Sequence, residues 1–96
     1  MRRKTKIIAT LGPATETPAA IRDLLVAGVN IFRLNMSHAS HDWTREVVGA
    51  IRTVAAELGV NVATLIDLQG TSIRTGDVAE RLVLARGDLL EFRNPD

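Results

Sequence analysis

IFRLNMSH, residues 31–38, sets an arginine, Arg33, between Phe32 and Leu34 in an apolar run and follows it at once with Asn35, Ser37 and His38. Side chains alternate along a strand, so Arg33, Asn35 and Ser37 share one face if the strand persists that far. An arginine in a strand of a βαβ unit, normally covered on both faces, needs an anion as partner. Two anions are open to it: a carboxylate of the chain, for which Asp67 is placed, or a bound phosphate or carboxylate ligand.

The flanking sequence says what kind of strand this is. Upstream, KIIATLG (6–12) is a short apolar run closed by Gly12-Pro13, a strand and a turn. Thr17-Pro18 then supplies an N-cap and a first-turn proline, and Ile21, Leu24 and Leu25 form a helical stripe that Gly28 ends. The run VNIFRL (29–34) is the second strand. Downstream, Ser40 or Asp42 caps a second helix, in which Trp43, Val47, Ile51, Val54 and Leu58 recur at spacings of three and four before Gly59. VNVATLIDL (60–68), bounded by Gln69-Gly70, is the third strand. The first 70 residues therefore read β-α-β-α-β, and strands joined through helices of this length are parallel with right-handed crossovers. After Gly76 the alternation breaks. RLVLARGDLLEFR (81–93) has two β-like runs around Arg86-Gly87-Asp88, the pattern of a hairpin, and places a boundary near residues 76–80.

In parallel α/β folds ligands bind at the C-terminal ends of strands. Here those ends are TLGPAT (10–15), RLNMSH (33–38) and IDLQGTSIRTG (66–76), and each carries polar or turn residues straight after an apolar run. Asn35, Ser37 and Asp67 offer neutral and charged oxygens, a set that suits a hard cation, although Asn and Ser at a strand end also serve as plain turn residues. His38 and His41 are three apart, but no third metal ligand is spaced to match them. Trp43 reads as a helix-face contact or, alternatively, as a ligand-stacking ring. There is neither a GxxxxGK[ST] nor a GxGxxG phosphate loop.

Composition narrows the classes. The 96 residues suffice for one small domain, and a net charge of +1 gives no electrostatic case for nucleic acid or membrane partners. The basic start MRRKTK reads as a solvated run. Without cysteine, disulfides, thiolate metal sites and cysteine nucleophiles are excluded. No run approaches the ~18 apolar residues of a membrane helix, and IIATL is shorter than the ~7–15-residue core of a signal peptide. Cytoplasm is the expected compartment.

Taken together in order, TKIIATLGPAT (5–15), AGVNIFRLNMSH (27–38), LIDLQG (65–70), IRTGD (73–77) and RLVLARGDLLEF (81–92) resemble the N-terminal segment of the pyruvate kinase family, and the match runs nearly end to end. The resemblance implies an α/β fold: the first three strands of a (β/α)₈ barrel over residues 1–76, then the start of an inserted small β domain over 77–96. It implies phosphoryl transfer from phosphoenolpyruvate to ADP, giving pyruvate and ATP in glycolysis, with Mg²⁺ and K⁺. Carried over by position, Arg33 contacts the transferring phosphate. Asn35, Ser37 and Asp67, with the carbonyl of Leu68, hold K⁺. His38 and Arg74 face the nucleotide phosphates. Thr71 and Ser72 stand where the family usually has proline and an acidic residue, the latter a position linked to K⁺ dependence, and Ala39 stands where glycine is common. A family barrel has about 250 residues, and the acid/base lysine and the Mg²⁺-binding Glu and Asp of the family correspond to no residue here. The expectation is a chain that carries the phosphate and K⁺ half of a site. The alternative is a truncated, non-catalytic module that binds phosphates or another protein and self-associates. Three parallel strands leave open edges, so a homo-oligomer or a partner chain completing the barrel is expected.

Overall fold

In a computed structural model, which describes residues 3–71 and 73–94, the elements follow in the order β1 (Ile8–Thr10), α1 (Pro18–Ala27), β2 (Ile31–Asn35), α2 (His41–Leu58) and β3 (Ala63–Asp67). The strands make one parallel sheet in the order β1-β2-β3, with Ile8 opposite Ile31 and Asn35 opposite Asp67 at its two ends. The β-α-β-α-β reading is realised, with strands shorter than the apolar runs that announced them.

The helices end where their punctuation places them. The Thr17 side chain accepts a hydrogen bond from the Ala20 amide at 3.2 Å, with Pro18 as the first helical residue. Between the two candidate caps of α2 the structure selects Ser40, whose Oγ accepts from the Trp43 amide at 3.1 Å. That leaves Asp42 in the first turn, where its charge favours the helix dipole. Gly28 and Gly59 close the helices at φ 106° and 64°, a left-handed conformation that L side chains rarely adopt.

Both helices lie on one face of the sheet. Phe32 and Leu34 of β2 are fully buried against Ile21 and Leu25 of α1 and Val47, Ile51, Val54 and Ala55 of α2, with Leu11 completing the core. Trp43 and Leu58 pack against it half-buried, so all five positions of the α2 stripe face inward. Two crossovers of the same hand put their helices on the same side of a sequentially ordered sheet, which is the local geometry of a βα barrel wall. The expectation that β2 is covered on both faces is therefore corrected. Ile31, Arg33 and Asn35 alternate with the buried pair and point to the face that no helix covers.

The hairpin is the second correction. Residues 77–94 form no strand; only the turn appears, at Arg86-Gly87, where Asp88 Oδ2 accepts from the Ala85 amide at 2.8 Å. Val83, Leu89 and Phe92 are 87%, 100% and 76% exposed. A two-stranded ribbon with no sheet or helix to pack against is marginal in water, so the turn chemistry alone does not hold the ladder. No helix among the described residues is long and apolar enough to cross a membrane.

Candidate functional site: the strand ends of the open face

The polar cluster forms where β1, β2 and β3 end together. Parallel register sets Thr10 beside Arg33 and Asn35 beside Asp67, so all four residues belong to the open face. The Arg33 guanidinium bridges the sheet: one nitrogen donates to Thr10 Oγ1 at 3.2 Å and another to the Asp67 carboxylate. Of the two anions that Arg33 required, the chain supplies the carboxylate. The pair is not sealed, because the two side chains stay 33% and 43% exposed. A guanidinium has five N–H donors, and Thr10 and Asp67 engage only part of them. The cation thus reaches an incoming anion without breaking the pair.

Beyond Asn35 the chain turns. Asn35 Oδ1 accepts from the Ser37 amide at 3.1 Å, its carbonyl accepts from the His38 amide at 3.3 Å, and the Met36 amide donates to the Asp67 carbonyl at 3.0 Å. The first bond is an Asx turn, the local bond that asparagine forms at strand ends. The last ties the exit of β2 to the end of β3. Together they direct His38 into a cleft of about 670 Å³ between the β1–α1 loop and the start of α2. Thr10, Gly12, Pro13 and Glu16 line it on one side, and Asn35, His38, Ala39 and Trp43 on the other. Thr10 and Asn35 belong to both the cleft and the Arg33 row, so the two form one continuous region.

The predicted residues separate into two groups. Arg33, Asn35, Ser37, His38 and Asp67 come together at the strand ends. Leu68 follows directly after β3 and is 74% exposed. Arg74 lies in an exposed segment without regular structure and, among the described residues, makes no hydrogen bond or ion pair. Ser72 lies outside the described residues; Thr71 beside it is exposed. Two residues of the site escaped the sequence reading. Thr10 had a signal, as the hydroxyl that ends the first strand. Glu16 had none, since its partner, the Trp43 indole N–H at 2.5 Å, lies 27 residues away.

The donor chemistry, all oxygen, fits a hard cation better than a transition metal. Asn35 and Asp67 present oxygens from paired strands, Ser37 adds a hydroxyl next to them, and a carboxylate that accepts from Arg33 keeps lone pairs free. No group of three or more His, Cys, Asp or Glu is placed to hold a metal among the described residues. His41 begins α2 rather than forming a pair with His38.

The family model described as pyruvate kinase, barrel domain, matches residues 2–94. The chain belongs to the pyruvate kinase family. The pyruvate kinase of Leishmania mexicana is 41% identical over 86 residues, covering 88% of this chain and 17% of that protein. One from Agrobacterium vitis is 46% identical over 91 residues, covering 94% of this chain and 19% of its own. A pyruvate kinase of Leishmania braziliensis is 40% identical over 76 residues, covering 79% of this chain and 84% of itself. The chain thus spans less than a fifth of the first two pyruvate kinases and most of the third. Parallel strands with both helices on one face are what the opening of a pyruvate kinase barrel requires.

Proposed function

We propose that this chain provides the phosphate-anchoring and monovalent-cation half of a pyruvate kinase active site, serving phosphoryl transfer from phosphoenolpyruvate to ADP in the cytoplasm. One observation carries the reading. Arg33 stands on the open face of β2, held by Thr10 and Asp67, half-exposed at the strand ends of a fold whose ligands bind there. Phosphoryl transfer depends on positioning and charge neutralisation more than on covalent chemistry by the protein. A guanidinium that is oriented before the ligand arrives, with donors to spare, supplies both for a phosphate.

His38 extends the same function into the cleft, toward the nucleotide phosphates. Asn35, Ser37 and Asp67, with the Leu68 carbonyl, hold K⁺, which adds positive charge beside the transferring group when bound. Arg74 joins the site only if the segment after β3 folds back over the strand ends. Mg²⁺ is carried over from the family alone, since its carboxylate ligands and the acid/base lysine have no counterpart among these residues.

The test is a titration of the purified chain with phosphoenolpyruvate and with ADP, followed by a lactate-dehydrogenase-coupled assay with both, Mg²⁺ and K⁺. The expected outcome is saturable binding without pyruvate formation. Turnover above the uncatalysed rate contradicts the half-site, and no binding of either ligand contradicts the phosphate anchor. A second reading, a non-catalytic phosphate-binding module that self-associates, is favoured by the uncovered apolar residues of β3. It predicts the same binding and the same silence, and separates from the first if a partner chain completing the barrel fails to restore turnover.

A further inference from the structure

A carboxylate in a cleft meant for phosphates is out of place. Glu16 lines the cleft that holds His38, and among the described residues no cation lies within ion-pair distance of it. A second anion on that wall opposes a phosphate ligand unless the carboxylate does other work. Among the described residues, its one hydrogen-bond partner is the indole N–H of Trp43, at 2.5 Å and partly buried. This bond crosses the cleft. Glu16 belongs to the loop after β1 and Trp43 to the first turn of α2, and the two walls are joined by it.

We infer that Glu16 is a positioning residue: its carboxylate latches Trp43 across the cleft and fixes the indole as the wall against which the ligand beside His38 is held. The inference rests on the nucleotide reading of the cleft. The physical case has three parts. A hydrogen bond to a charged acceptor is stronger than a neutral one. An indole has two rotatable bonds, and packing on the core at its base plus one bond at its tip fixes both. The amide of the same Trp43 is held by Ser40 at 3.1 Å, so backbone and ring are anchored independently.

Trp43 is the single tryptophan of the chain, so its fluorescence reports the latch without a label. The experiment compares Glu16→Ala and Glu16→Gln with the unaltered chain by acrylamide quenching of the indole, and these and Trp43→Phe by affinity for Mg²⁺-ADP and for phosphoenolpyruvate. Glu16→Ala is expected to raise quenching and weaken Mg²⁺-ADP about two- to tenfold, the scale of one net hydrogen bond, while phosphoenolpyruvate binding is unchanged. Glu16→Gln keeps an acceptor without the charge, and is expected to fall between the unaltered chain and Glu16→Ala in quenching and to bind Mg²⁺-ADP more tightly than Glu16→Ala. Trp43→Phe, which keeps a ring and loses the donor, is expected to weaken Mg²⁺-ADP as Glu16→Ala does, with no further loss in the double variant. Unchanged quenching in Glu16→Ala overturns the latch whatever the chain binds. Glu16→Gln behaving as Glu16→Ala overturns positioning in favour of charge. If the unaltered chain binds phosphoenolpyruvate but not Mg²⁺-ADP, the inference falls while the Arg33 anchor stands. If it binds neither, both fall.

Discussion

Arg33 is the residue on which the functional reading turns, and its surroundings explain how an arginine is tolerated in the central strand of a sheet. A guanidinium flanked by Phe32 and Leu34 is costly only if the strand is buried on both faces. Here alternation sends the two apolar side chains into the core and Arg33 to the open face, where Thr10 and Asp67 hold it in place. The ion pair is too exposed to contribute much stability, since partly solvated pairs are worth about 0–1 kcal/mol. Its value is orientation. An ammonium on a flexible stem would reach a phosphate as a point charge but would not present a planar fork to Thr10, Asp67 and ligand at once. The sequence showed the alternation, the polar cluster and Asp67 as partner. It did not show that one face stays open, because that depends on both helices falling on the same side. Nor did it show Glu16, because a bond spanning 27 residues leaves no local pattern.

Among the elements, α1 and α2 were the most legible. Both carry a capping side chain, a stripe at helical spacing and a terminal glycine, all pointing to the same boundaries. The strands were legible in place and less so in length, since only the paired residues count and pairing ends where the polar turns begin. The final segment departs from the hairpin pattern for a physical reason: Arg86-Gly87-Asp88 makes the turn, but residues on either side have no surface to pack on. The cap of α2 is the place where element and site meet, because Ser40 both ends the turn after His38 and fixes the Trp43 amide. Ser40→Ala is expected to lower stability by about 1 kcal/mol, read as a lower urea midpoint with an unchanged slope. A changed slope, or no shift at all, contradicts the role of this cap.

At the scale of the whole molecule, the chain is a half-covered sheet. The radius of gyration is 18.5 Å, whereas a compact domain of this length has about 13 Å, because residues after β3 extend from the packed unit rather than onto it. Ile66 and Leu65, on opposite faces of β3, are 43% and 39% exposed, Ile8 is 53% exposed, and β3 has a free edge. A free parallel edge with apolar neighbours pairs readily with another chain. Light scattering is expected to give a mass above the 10.4 kDa of one chain, rising with concentration; a concentration-independent monomer contradicts this. The family membership and the open face agree: the face that carries Arg33 is the one a complete barrel turns inward, so the site shares its side of the sheet with uncovered Ile8 and Leu65, while Ile66 is uncovered on the other side.

The central claim is that Arg33 anchors a phosphate at the strand ends, and calorimetric titration of phosphoenolpyruvate into the chain and into Arg33→Ala tests it most directly. Saturable binding is expected that falls about ten- to a hundredfold in the variant, the worth of a hydrogen bond to a charged group, with the helical circular dichroism unchanged. Equal affinity in the two proteins would mean that Arg33 serves only its pair with Asp67, and would contradict the account.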